Sequence, residues 1–209
     1  ASALGAGQTI ERIDRLGKQL VLVFGKRCVC VHLGMTGSLR CGGQEKTDHV
    51  HVTWHLAGAG GDGHMRFRDP RRFGGVWTFA SRDELQRERW DKLGEDALTI
   101  TPTSLQRKLA ATRRAIKASL LDQHVIAGLG NIYVDELLFE MKVHPMTRAC
   151  DLKTITIRRL VRAMRRLLNQ AISVGGSTVS DYVDGEGREG HFQDQHQVYG
   201  RSGLNCKRC

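Results

Sequence analysis

The chain has 209 residues, 40% of them hydrophobic and 26% charged, enough to bury a core in one large domain or two ordinary ones. That balance excludes a disordered tail. No apolar run reaches membrane-spanning length or follows a basic N-terminal segment, so neither a membrane span nor a signal peptide is expected. Lys and Arg total 32 against 22 acids, a net charge of +10, which favours a polyanionic partner without identifying it.

The first half reads as β-structure. Residues 9–14, 19–24 and 28–33 are short runs rich in Val, Ile and Leu, separated by turn signals at Leu16-Gly17 and Gly25-Lys26-Arg27. Residues 49–56 alternate, with histidines on one face and apolar side chains mostly on the other. Residues 58–63 predict a flexible hairpin loop, with further strands at 65–68 and 76–79. Short, regularly spaced strands point to a sandwich or barrel. Ser81-Arg-Asp-Glu84 is a capping-box pattern opening a short helix.

After Thr99-Ile-Thr-Pro-Thr103 the apolar period changes from two to about 3.6, which sets a domain boundary at residue 100. Residues 105–121 are helical in pattern. Val134, Leu137, Leu138 and Met141 share one helix face, as do Ile157, Leu160, Val161, Met164, Leu168 and Ile172. The last helix carries Arg158, Arg159, Arg162, Arg165 and Arg166 off its apolar stripe and ends at Gly175-Gly176, a C-cap signal. A basic face of this kind is more often solvated surface than a binding site. Residues 177–203 are rich in Gly, Asp, Gln and Ser and read as loop.

Four motifs carry chemistry. In the stretch from Leu121 to Tyr133, Gly128-Leu-Gly130 leads into a helix beginning near Asn131. Glycines there admit a ligand to the backbone, and the N–H groups of the helix start attract an anion. Asn131 is both an expected N-cap and a donor to a phosphate oxygen; the plainer alternative is an ordinary turn between helices. Asp69-Pro-Arg-Arg-Phe-Gly-Gly75 is a tight loop with two guanidiniums and a ring at its tip. It is either a surface turn with Arg paired to Asp69 or a wedge, with Phe73 stacking on a base pair and one of the two arginines taking the space of a missing base. In His32-Leu-Gly-Met-Thr-Gly37, glycines flank Met35, which is odd for a core position, although a buried Met remains the plain reading.

The fourth motif is Cys206-Lys-Arg-Cys209. Two thiolates at this spacing are half of a tetrahedral zinc site; a redox pair or two unrelated thiols are the alternatives. Cys28, Cys30, Cys41 and Cys150 show no disulfide pattern, which fits a reducing compartment.

Taken together, HLGMTGSL, DPRRFGG, IKASLLDQHVIAGLGNIYVDELLF, HP at 144–145, GGST at 175–178 and VYGRSGLNCKRC resemble the bacterial formamidopyrimidine-DNA glycosylase family, in the family's order and over nearly the whole chain. The resemblance implies an α+β, two-domain fold. Residues 1–100 would form a β-sandwich, 101–194 a helix–two-turn–helix DNA-binding domain, and 195–209 the first half of a zinc finger. The implied activity is excision of oxidised purines from double-stranded damaged DNA, with cleavage of the strand at the abasic site. A monomer in the bacterial cytoplasm, associated with the nucleoid and not with a membrane, is implied with it.

Roles transfer by the same resemblance. Lys18, His32 and Asn131 match phosphate contacts. Met35, Arg71 and Phe73 match the side chains that enter the duplex when the damaged nucleotide flips out, Arg71 facing the widowed cytosine. Cys206 and Cys209 match two ligands of one structural Zn2+, and residues 177–192 the mobile loop over the everted base. Family members open with Pro-Glu, whose amine attacks the sugar and whose carboxylate handles protons. This sequence opens with Ala1 and closes at Cys209, so it is expected to be shortened at both ends, with no catalytic residue and no second cysteine pair. The competing expectations are a damaged-DNA-binding module of the same fold without catalysis, and an RNA-binding helix–two-turn–helix protein, which leaves the HLGMTG and DPRRFGG loops without a purpose.

Overall fold

A computed structural model of the chain describes residues 4–42, 48–58, 63–179 and 183–209. It divides into two compact units, one of residues 1–88 with 174–193 and one of residues 89–173 with 194–209. The change of unit falls at 88/89, twelve residues before the boundary read from the change of period. Ala97 and Ile100 explain this, because both are buried in the helical core ahead of the first periodic helix.

The first unit holds two antiparallel sheets. Strands β1 (Arg12–Leu16), β2 (Gln19–Phe24), β3 (Arg27–His32) and β7 (Gly75–Phe79) form one in the order β1-β2-β3-β7. Strands β4 (Ser38–Cys41), β5 (Val50–Leu56) and β6 (Gly63–Arg68) form the other in the order β4-β6-β5. Leu22, Phe24, Val29 and Val31 of the first sheet pack with Trp54, Met65 and Phe67 of the second. The opposite face of the first sheet lies under helix α1 (Arg82–Glu88), whose Leu85 is fully buried. Both faces are thus covered, and β2 and β3 read as continuous apolar runs for that reason. Strand β5 keeps the alternation, with Trp54 buried and His51 and His55 exposed. Strand β4 is not among the expected strands, and most of the loop expected over residues 58–63 lies outside the described residues. The cap forms in shifted form: Ser81 Oγ accepts from the Glu84 N–H at 3.1 Å, while the Glu84 carboxylate accepts from the N–H of Ala80, one residue before the cap.

The second unit is helical apart from a short parallel pair, β8 (Glu95–Asp96) with β9 (Ile126–Ala127). Residues 105–121, expected as one helix, are two: α2 (Pro102–Ala110) and α3 (Ile116–Leu121). Thr101 caps α2 and Pro102 opens it. Between the helices, Ala115 bridges to Arg148 and the Ala149 N–H bonds the Arg114 carbonyl, so that backbone is spent on tertiary contacts. Helix α4 (Asn131–Met141) packs on α5 (Thr154–Ser173), whose stripe of Ile157, Leu160, Val161 and Met164 is buried. That stripe stops short of its expected end, since Ile172 is 62% exposed. Gly175 and Gly176 then take left-handed backbone, as a helix stop requires. Among the described residues no helix is long and apolar enough to cross a membrane.

Candidate nucleic-acid interface

In the first unit, the end of the larger sheet collects four of the six expected DNA contacts, with a fifth in the adjoining β1–β2 turn. His32 closes β3 and pairs in register with Gln19 on one side and Gly75 on the other. Lys18 stands next to Gln19 in the β1–β2 turn. Its side chain is exposed, but neighbouring protein strips it of part of its water and pulls its pKa below the ordinary lysine value.

Beyond this sheet end, the loops 33–37 and 69–74 press together backbone on backbone. A Cβ on Gly34 would sit 2.6 Å from the Gly74 nitrogen, and one on Gly74 would sit 2.4 Å from the His32 carbonyl oxygen. Gly34 also holds φ at +67°, which favours glycine independently of the crowding. Of the two glycines that look out of place beside Met35 in the sequence, Gly34 allows this approach, while Gly37 allows the tight turn back onto the Leu33 carbonyl.

Asp69 locks the two loops. It is 1% exposed, and its carboxylate accepts hydrogen bonds from the Thr36 hydroxyl at 2.8 Å and the Gly74 N–H at 2.7 Å. Burial pushes its pKa up, but these two donors and the Arg71 backbone outweigh that and hold the carboxyl below its usual value. One reading of the sequence pairs Asp69 with an arginine; its carboxylate instead serves to join the two loops. Sequence reasoning gives Asp69 no functional part, because its partner Thr36 lies on another loop, 33 residues away.

On this locked base stand exposed apolar groups. Met35 is 70% exposed and Phe73 57%, so the reading of Met35 as a core residue is wrong. Arg71 is exposed, with its guanidinium carbon 4.9 Å from the centre of the Phe73 ring. Arg72 between them takes a left-handed φ of 55°, a strained state for a non-glycine residue in a loop fixed from below. Exposed apolar side chains on rigid backbone are suited to entering a base stack and unsuited to free solution.

The segment 174–193 belongs to this unit as well. In its described part, the Cys41 N–H donates to the Gly185 carbonyl, Thr178 Oγ1 accepts from the Gly190 N–H, and Phe192 is buried. Residues 180–182 of the expected mobile loop lie outside the described residues.

The second unit carries the sixth contact. Between α3 and α4, Gln123 donates to the carbonyls of Leu121 and Leu129 and accepts from the Gly128 N–H at 2.9 Å, so one amide shapes the whole turn. Gly128, at φ 110°, requires glycine. Asn131 is exposed at the first position of α4 and is not its N-cap; that position is Gly130, with no side-chain cap. Glycine has no side chain to cap the start of the helix, which gives an anion access to that end beside the Asn131 side chain.

Cys206 and Cys209 are both exposed. The Arg208 and Cys209 N–H groups favour the Cys206 thiolate and lower its pKa, while the neighbouring sulfur raises that of Cys209. This suits the thiol pair to a cation, yet among the described residues no group of three potential metal ligands assembles. A further anchor has no signal in the sequence: Glu136, buried in α4, accepts from the consecutive N–H groups of Gln197, Val198 and Tyr199 at 2.8–2.9 Å.

The formamidopyrimidine-DNA glycosylase N-terminal domain matches residues 1–76, and the H2TH domain of the same glycosylases matches residues 93–183. The chain belongs to the formamidopyrimidine-DNA glycosylase family. It is 41% identical to the formamidopyrimidine-DNA glycosylase of Moorella thermoacetica, covering all of this chain and 77% of that protein. The Bacillus subtilis glycosylase is likewise 41% identical, over 98% of this chain and 74% of its own length. Among solved structures, the MutM (Fpg) protein of Thermus thermophilus superposes with a TM-score of 0.87 at 39% identity, covering 99% of this chain and 77% of its own. The Lactococcus lactis Fpg, solved with DNA containing an abasic site, gives 0.85 at 33% identity, covering 97% and 75%. The mixed α/β architecture of this chain is therefore that of the family, β-sheets first and the H2TH helices after.

Proposed function

We propose that this protein removes oxidised purines, 8-oxoguanine and formamidopyrimidines among them, from duplex DNA and cleaves the strand at the resulting abasic site. The observation that carries the reading is the pair of loops locked by Asp69, with Met35, Arg71 and Phe73 exposed above it. Phe73 wedges between base pairs, at an unstacking cost of a few kcal/mol that contacts to the bent duplex repay. Met35 fills part of the vacated space. Arg71, with its planar fork of donors, reads the base left without a partner. Lys18, His32 and Asn131 hold phosphates, which position the duplex without reading its sequence.

The resemblance gives the chemical step to an N-terminal proline and its neighbouring glutamate, which these 209 residues do not include. A secondary amine attacks the sugar C1′ as the bond to the base breaks and the base leaves with a proton; loss of the amine proton and opening of the C1′–O4′ bond to a hydroxyl then leave an iminium, from which elimination of the 3′ phosphate breaks the strand. Cys206 and Cys209 would supply two of the four ligands of a zinc ion, which when bound holds the C-terminal segment in shape. The protein works as a monomer on chromosomal DNA in the bacterial cytoplasm.

The test is twofold. The chain should bind a duplex with a tetrahydrofuran abasic analogue opposite C at least about fivefold more tightly than the undamaged duplex, the equivalent of one base contact of roughly 1–3 kcal/mol. A fusion adding the N-terminal Pro-Glu segment of a family relative should release 8-oxoguanine and give a borohydride-trapped adduct on abasic DNA. Equal affinity for both duplexes overturns the reading. Preference without excision or adduct in the fusion supports instead a damaged-DNA-binding module that does not cut.

A further inference from the structure

Helix α5 carries a second charge feature that the loops and the H2TH turn do not use. Its twenty residues, Thr154–Ser173, contain five arginines and no acidic residue. Two of the arginines have structural partners. Arg165 donates to the carbonyls of Thr99 and Ile100, and Arg166 pairs with Glu140. The other three, Arg158, Arg159 and Arg162, are exposed, and among the described residues no carboxylate lies within ion-pair distance of them. Lys153, also exposed, immediately precedes the helix.

An inert solvated face would not be built this way. Arg158 and Arg162 are four apart, Arg159 and Arg162 three apart, and like charges at those spacings repel across the helix surface. The first turn of the helix carries no acidic residue either, so this face has no opposite charge of its own. Solubility asks only for charges of mixed sign. Each of these arrangements becomes favourable when an extended polyanion lies along the face.

Charge complementarity on a chain of net charge +10 points to a nucleic-acid backbone as that polyanion. Arg158 and Arg162 follow one another at about 6 Å along the axis, with Arg159 beside them, so the unpaired stripe runs for roughly 6 Å. A DNA strand presents one phosphate per about 3.4 Å of axis, so the stripe faces about two phosphates of one strand, with Arg159 within reach of the next.

We propose that the solvent face of α5, through Arg158, Arg159 and Arg162, is a second, sequence-independent contact surface for the phosphate backbone of duplex DNA, additional to the lesion-reading loops and the H2TH turn. It rests on the reading of this chain as a DNA-binding protein. Such a surface retains the protein on undamaged DNA, where the wedge residues find no gap to enter.

The experiment is a salt titration of affinity for a long undamaged duplex, comparing the parent chain with the triple variant Arg158→Gln, Arg159→Gln, Arg162→Gln. Removing one phosphate neutralisation lowers the slope of log K against log salt by about 0.9, so the variant slope should fall by roughly 2 to 3. Thermal melting of the variant should match or exceed that of the parent, because only repulsion has been removed. An unchanged slope in a variant that melts normally overturns the proposal and directs attention to an acidic protein as the partner of this face. Absence of salt-sensitive binding by the parent overturns the DNA-binding reading itself, and this proposal with it. A slope restored by Arg158→Lys, Arg159→Lys, Arg162→Lys supports backbone contact by charge, since lysine meets a phosphate as a point charge.

Discussion

Replacing Asp69 with alanine should do more damage than any other single change at the site. Asp69 is 1% exposed, and its carboxylate accepts from the Thr36 hydroxyl and the Gly74 N–H. Hydrogen bonds to a charged group contribute about 1.5–3 kcal/mol each, so removing two together costs about 3–6 kcal/mol, less whatever an entering water restores. Asp69→Asn keeps the shape and one acceptor, and should cost about 1–2 kcal/mol. The pH dependence has a definite sign. The folded pKa lies below the ordinary 3.8, so this contribution is complete above about pH 4 and is lost as pH falls through the folded value. Urea unfolding of the first unit, followed by the fluorescence of its tryptophans, should show the Asp69→Asn deficit at neutral pH shrinking as the solution is made acidic. The variant should also lose preference for abasic-analogue DNA, because Met35 and Phe73 lose their fixed base. A variant as stable as the parent at neutral pH and with unchanged preference would refute the role given to Asp69.

Lys18→Ala should weaken binding to damaged and undamaged duplexes alike and lower the salt slope by about 0.9, read from the same titration; a loss confined to damaged DNA would show that Lys18 touches something other than phosphate. Glu136→Ala leaves the three N–H groups of residues 197–199 without their acceptor and should cost about 1.5–3 kcal/mol for each bond lost, less whatever entering water restores. Hydrogen exchange should then report opening of residues 194–209 while α4 stays protected. The 209-residue chain should hold zinc only weakly through Cys206 and Cys209, because two thiolates leave half of a tetrahedral shell to water; stoichiometric zinc by metal analysis would require ligands other than these two.

Strands and helices are legible in the sequence wherever burial follows a simple period. They are not legible where tertiary contact decides. Leu105, Leu109, Ile116 and Leu120 keep helical spacing across the break between α2 and α3, and no Gly or Pro marks it, because the backbone there is drawn to Thr147–Ala149. The exposed trio Met35, Arg71 and Phe73 is visible through motif resemblance, with glycines as the local clue. What fixes the trio is not, since Asp69 and Thr36 meet only once the sheet has formed. Glu136 reads as one more charge on a helix, and its partners are backbone groups some sixty residues away. Asparagine is a common cap, which draws the expected N-cap to Asn131, whereas Gly130 takes that position and leaves the helix start open.

Everything proposed for the lesion-reading loops depends on Phe73 entering the base stack of damaged DNA from a rigid platform. A duplex with 2-aminopurine beside a tetrahydrofuran abasic analogue opposite C reports this directly, because unstacking brightens 2-aminopurine. Phe73 is 57% exposed, so Phe73→Ala should leave the fold's stability within about 0.5 kcal/mol of the parent. Fluorescence should rise on saturation with the parent chain and change little on saturation with Phe73→Ala. An equal rise with both proteins, or none with the parent at saturation, would show that Phe73 does not enter the stack.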